Sequence, residues 1–218
     1  MSVLMTKWVV MSSDVIQILA KGNPSLNLWI PNFELQPLNR FLMKVLKYLL
    51  IVIAAIVLIF LSFGLLDAEV EYGHSITVDK PISEAWAVSQ DESKYPMWLE
   101  GFQSMELLSG ERAQEGSTYR IVVKPSPEEP EFVMTETLVS IQENDHVTMH
   151  FDSEMMDFEQ TMTFTEEDGQ TTISTDSKVM GKGIMMKSIF SMMETLGGAF
   201  TKQEAKNIEA LKKLIQEN

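Results

Sequence analysis

His74, His146 and His150 are the only imidazoles in the chain, and no cysteine stands beside them. General acid–base work near neutral pH needs such a group with a polar partner and a perturbed environment. No two of them stand at metal-ligand spacing on one helix face, and His146 adjoins a turn. His74 shares strand parity with Ile76 and Val78, which would let it face inward. The commoner role there is a strand-end histidine with a satisfied hydrogen bond. Carboxylates are plentiful but fall mostly where turns and outward faces are expected; Glu136 and Asp152 are the best candidates to approach an inner surface, and strand parity there is ambiguous. Phosphate-binding glycine loops, a nucleophile elbow and zinc motifs are missing from the sequence. No catalytic residue is assigned on these grounds, and no metal or cofactor is expected.

The sequence is richer in soft apolar chemistry. Twelve of the 16 methionines follow residue 68, among them Met134, Met149, Met155, Met156, Met162, Met185, Met186, Met192 and Met193. Methionine is flexible and polarizable, so it suits a surface that adapts to varied apolar shapes. Met149 and Phe151 share a strand parity, as do Phe158, Met162 and Phe164. Core filling accounts for any one of them; as a set facing one interior they point to an apolar pocket. The expected lining is Trp98, Phe102, Tyr119, Met134, Met149, Phe151, Phe158, Met162, Met185, Ile189, Met192 and Leu196.

Those residues need a scaffold, and the hydrophobic period supplies one. Val70, Tyr72, His74, Ile76 and Val78 alternate as a half-buried strand does. Pro81 then opens a short helix through Val88, and a second small helix is expected over Glu92–Leu99. Six strands follow, over Phe102–Ser109, Ser117–Lys124, Glu131–Ile141, Val147–Asp152, Asp157–Glu166 and Gln170–Met180, joined by turns rich in Gly, Asn and Asp. Short connections imply an antiparallel meander. Met185, Ile189, Met192, Leu196, Phe200, Ile208, Leu211 and Ile215 make one helical stripe with Glu204 its single polar break, and Gly197-Gly198 either kinks the helix or divides it.

Upstream, Tyr48–Leu66 is 19 uncharged, mostly apolar residues, roughly 28 Å as a helix and close to the hydrocarbon thickness of a bilayer. Arg40, Lys44 and Lys47 precede it, while Asp67, Glu69 and Glu71 follow. The positive-inside bias places the N-terminus in the cytoplasm and the remainder outside. Gly64-Leu65-Leu66-Asp67-Ala68 is a poor cleavage site, so a retained anchor over residues 43–67 is expected rather than a signal peptide. Residues 1–42 show no clean period, whereas Met43-Lys44-Val45-Leu46-Lys47 reads as a natural start; the first 42 residues are expected to be a poorly ordered leader from a misassigned start codon. From Ala68 onward 12 basic residues face 28 acidic ones. Such a body repels phosphate backbones, so nucleic acid is excluded as a partner.

His74-Ser-Ile-Thr-Val-Asp-Lys-Pro-Ile-Ser-Glu-Ala-Trp86, with Asp91-Glu-Ser-Lys-Tyr-Pro-Met-Trp98 and the ending Asn207-Ile-Glu-Ala-Leu-Lys-Lys-Leu214, resembles the SRPBCC superfamily of START domains, polyketide cyclases/dehydrases and birch-pollen-allergen-like proteins. The resemblance runs from about Glu71 to Asn218. It implies an α+β helix-grip fold, in which a curved antiparallel sheet wraps a long C-terminal helix around a cavity. A basic start, one apolar helix and then this domain is also a familiar bacterial arrangement. The fold hosts carriers and enzymes alike. Residues 68–218 are accordingly expected to bind or transfer a hydrophobic small molecule or lipid at the outer face of a bacterial cytoplasmic membrane. The alternatives are an enzyme of the cyclase/hydratase kind and a protein-interaction module with a filled core.

Overall fold

A computed structural model describes residues 40–66, 69–128 and 130–218. Residues 1–39, nearly all of the expected leader, lie outside that range.

Helix α1 spans Arg40–Leu66, three residues earlier at its start than the basic-apolar boundary predicts. Its Leu42–Leu66 stretch is long and apolar enough to cross a membrane, and its side chains from Leu42 to Ile59 are exposed. Three residues, Asp67 to Glu69, separate it in sequence from the first strand.

The remaining elements form one sheet with helices. Strand β1 (Val70–Val78) leads through helix α2 (Ile82–Ser89), a 3₁₀ turn (Glu92–Lys94) and helix α3 (Tyr95–Trp98) to β2 (Phe102–Ser109). Then come β3 (Thr118–Val123), β4 (Phe132–Gln142), β5 (His146–Asp152), β6 (Met156–Glu167) and β7 (Gln170–Gly181), followed by helices α4 (Gly183–Gly197) and α5 (Ala199–Glu217). The order across the sheet is β1-β7-β6-β5-β4-β3-β2, and every neighbouring pair is antiparallel. β1 and β2 therefore end at opposite edges, with α2 and α3 spanning between them. This is the expected α+β helix-grip arrangement.

Local sequence explains the corners. At the β6–β7 hairpin, Asp168 and Gly169 both take positive φ, 53° and 79°, as a two-residue I′ turn requires. Pro81 caps α2, and the Ile82 amide donates to Glu166 Oε2 at 2.7 Å, pinning the helix start to β6. Trp86 meets Phe164 edge-on at 5.0 Å. The apolar face of α5 (Ile208, Leu211, Leu214, Ile215) joins Ile76, Val78, Trp86, Trp98, Phe164 and Ile173 in one core.

Of the two outcomes open at Gly197-Gly198, the structure shows division into two helices. Gly198 adopts φ 59° and ψ 43°, a left-handed conformation that ends α4 and that glycine enters without a Cβ clash. The Gly198 amide donates to the Glu194 carbonyl at 2.6 Å. The Glu194 carboxylate in turn accepts from the Phe200 amide at 2.9 Å, capping α5. Only α5 lies in the grip of the sheet, packing on β1, α2 and α3, whereas α4 rests against β7 and the β1 edge.

Candidate functional site

Between α5 and the concave face of the sheet lies a cavity of about 270 Å³. The alternation of each strand aims one side-chain parity at it. Met134 and Glu136 come from β4, Val147, Met149 and Phe151 from β5, and Met156, Phe158, Gln160 and Met162 from β6. Tyr72 and Val179 close one side and Trp98, Leu99 and Phe102 the other, while Phe200, Glu204 and Ile208, one helical turn apart, form the roof.

Aromatic rings run across the floor. Phe151 and Phe158 are cross-strand partners, stacked at 5.2 Å between centroids. Tyr72 lies parallel to Phe158 at 6.4 Å and stacks on Phe200 at 5.6 Å. At the other end Tyr95 meets Trp98 and Phe102 edge-on at 6.0 and 5.6 Å. Such contacts hold the walls in place beyond what area burial gives.

Seven residues of the expected lining are brought together here: Trp98, Phe102, Met134, Met149, Phe151, Phe158 and Met162. Five are placed elsewhere. Tyr119, 2% exposed, is in the core, and its hydroxyl accepts from the Ala113 amide at 3.0 Å. Met185 and Leu196 are 64% and 74% exposed, and Ile189 and Met192 are half-buried on the same helix α4. The stripe that links them to Phe200 and Ile208 in sequence is cut at Gly198, so α4 carries its share away from the cavity.

The polar lining is where the sequence is least transparent. Glu204, the one polar break in the α5 stripe, accepts from Gln160 Nε2 at 2.8 Å, and Gln160 also donates to Ser177 Oγ at 3.0 Å. Burial raises the Glu204 carboxyl above its usual range, while Thr175, His74, Ser177 and Gln160 draw it back down. Glu136 has no such company. It is 7% exposed, its cross-strand neighbours are Tyr119 and Phe151, and no described residue hydrogen-bonds to its carboxyl group. Burial first, then repulsion from Glu92, pushes it up to about 7. The Tyr95 hydroxyl is raised by burial and then by Glu136, and that of Tyr72 by burial and then by Glu204 and Glu194.

The family model described as polyketide cyclase / dehydrase and lipid transport matches residues 69–216, the whole of this sheet and its helices. The chain belongs to that family. No curated protein matches it in sequence. Among solved structures, a conserved protein from Geobacillus kaustophilus superposes with a TM-score of 0.54 at 15% identity, covering 68% of this chain and 96% of its own. A Thermus thermophilus protein gives 0.53 at 11% identity, covering 68% and 98%. The di-domain ARO/CYC StfQ from the steffimycin biosynthetic pathway gives 0.54 at 12% identity. That match covers 69% of this chain and 52% of StfQ, so the chain spans about half the length of that relative. At these identities the likeness concerns the fold.

Within this family member the other candidates for chemistry fall outside the cavity. His74 Nε2 lies 3.5 Å from Glu209 Oε1 on α5, at the surface. His146 bridges Asp145 Oδ2 at 2.8 Å and Ser140 Oγ at 3.0 Å. Although this chain of contacts has the composition of a hydrolase triad, neighbouring Val147 lines the cavity, so His146 points to the opposite, convex face. There it is half-exposed, with no wall to exclude water. Asp152, whose parity the sequence leaves ambiguous, is exposed and paired with Lys182. Among the described residues no group of three or more His, Asp or Glu is arranged to hold a metal ion.

Proposed function

We propose that this protein is a membrane-tethered binding protein that takes a hydrophobic small molecule or lipid into the cavity between α5 and the sheet. The observation that carries the reading is the cavity itself: about 270 Å³, walled by methionine, phenylalanine and tryptophan side chains rather than filled by them. Methionine walls adjust to differently shaped apolar guests, and burial of apolar surface supplies the driving force. The volume sits just below the roughly 300–1,000 Å³ typical of small-molecule sites, which favours a short chain or a few fused rings over a whole diacyl lipid. Helix α1, long and apolar enough to span a bilayer, is the tether, with the binding domain on the outer side as the flanking charges direct.

Native mass spectrometry of the full-length protein released from lipid nanodiscs, followed by organic extraction, tests this reading. A reproducible apolar adduct supports it. A protein that carries no adduct and takes up no hydrophobic fluorophore refutes it and leaves the interaction module in its place.

The cyclase-like alternative has one observation in its favour. Glu136 is held near 7 inside the cavity, where a general base would be poised. Conversion of a bound polyketone by the wild type and not by Glu136→Gln would select that reading.

A further inference from the structure

Among the described residues, those lining the cavity include three carboxylates, Glu100, Glu136 and Glu204, and no lysine, arginine or histidine. An anionic headgroup brought inside would meet charge of its own sign with no cation to neutralise it, in a medium where such repulsion is poorly screened.

The three acids are not equivalent. Glu100 sits on the exposed rim and pairs with Lys206. Glu204 is already supplied by donors, Gln160 foremost. Glu136 is 7% exposed and has no donor from any described residue. A buried carboxyl group without a partner is costly, and of the described groups around it, Tyr119, Phe151, the Tyr95 hydroxyl, Glu92 and the apolar walls, none donates a hydrogen bond to it. A donor on the guest would complete the site.

Resting on the binding reading above, we propose that the ligand is an amphiphile with a hydrogen-bond-donating end, a hydroxyl or an amine, which is received by Glu136 while its apolar body lies along Phe151, Phe158 and the methionines. Carboxylates and phosphate esters are excluded. The selectivity is built from both directions, a free acceptor for the donor and uncompensated negative charge against the anion.

Three probes with the same apolar body separate these terms: decanol, decylamine and decanoate. Each is titrated separately at about pH 8.5, where Glu136 is ionised, into full-length protein in zwitterionic nanodiscs, and occupancy is read from the native mass of the released chain. Decanol and decylamine are expected to bind at least about tenfold more tightly than decanoate, the ratio that one charge-assisted hydrogen bond supplies. Glu136→Gln removes the negative charge and adds an amide donor, so decylamine weakens and decanoate rises to match it. Glu159→Gln, an exposed position on β6 outside the cavity lining, leaves the ranking unchanged. Decanoate binding the wild type as tightly as the other two overturns the proposal, whatever the variants do, and so does an unchanged ranking in Glu136→Gln. If all three bind alike, the carrier reading survives without this one; if none binds, both fall.

Discussion

Replacing Glu136 by glutamine should change how stability depends on pH, because this carboxyl group is buried and no described residue stabilises its charge. Its pKa is pushed from 4.5 to about 7 by burial and by Glu92. Below about pH 4.5 the group is neutral in both folded and unfolded chains. Between 4.5 and 7 the unfolded chain ionises while the folded one still holds its proton, so the folded state binds more protons and stability falls as pH rises. Above about 7 both forms are ionised and the loss is complete. At about 1.4 kcal/mol per pK unit the interval amounts to about 3 kcal/mol. Glutamine has nearly the same shape and no proton to lose. Urea unfolding of full-length wild type and Glu136→Gln in the same detergent, followed by tryptophan emission, isolates this group, since the other carboxylates are common to both. The variant should gain about 3 kcal/mol over the wild type between pH 4.5 and pH 8. Parallel stability curves across that range would mean that Glu136 is solvated or paired, and the reasoning about its site would fail.

Other perturbations test other parts of the structure. Leu211, on the inward face of α5, is fully buried, and Leu211→Ala should cost about 3 kcal/mol of unfolding free energy in the same urea assay. Gly198→Ala forces a Cβ into the left-handed region at φ 59° and should cost about 1–2 kcal/mol, read as a lowered thermal midpoint. Met149→Trp fills the cavity from its floor and should abolish uptake of a hydrophobic fluorophore while leaving the far-ultraviolet circular dichroism unchanged. Deletion of Arg40–Leu66 should move the protein from the membrane pellet to the soluble fraction on ultracentrifugation.

Much of the fold was written locally. The alternation from Val70 to Val78, the Asp168-Gly169 hairpin and the Pro81 helix start each act over a few residues, and period and turn chemistry report them directly. The grip of α5 was legible in the same way, through Ile208, Leu211 and Ile215. The cavity was legible where strand parity decides direction, as for Met149, Phe151, Phe158 and Met162. It was not legible across Gly198. A stripe continues through a glycine pair in sequence whether or not the helix axis does, and the left-handed residue turned Met185 and Leu196 out to solvent. Tyr72, Tyr95 and Phe200 were missed as lining because aromatic residues at those positions read equally well as core. Glu204 left a trace, as the lone polar residue in an apolar stripe. The isolation of Glu136 left none, since the lack of a partner is a property of what the other strands bring alongside.

The three residues between α1 and β1 set the conditions under which such a protein would work. Asp67 to Glu69 can span only about 10 Å. With α1 in a bilayer, the cavity then travels in the plane of its own membrane and cannot cross a wider aqueous gap with its cargo. Loading and unloading become collisions in two dimensions, with that same leaflet or with a partner that comes to it. Their frequency would follow the number of molecules per area of membrane and be indifferent to dilution of the surrounding fluid.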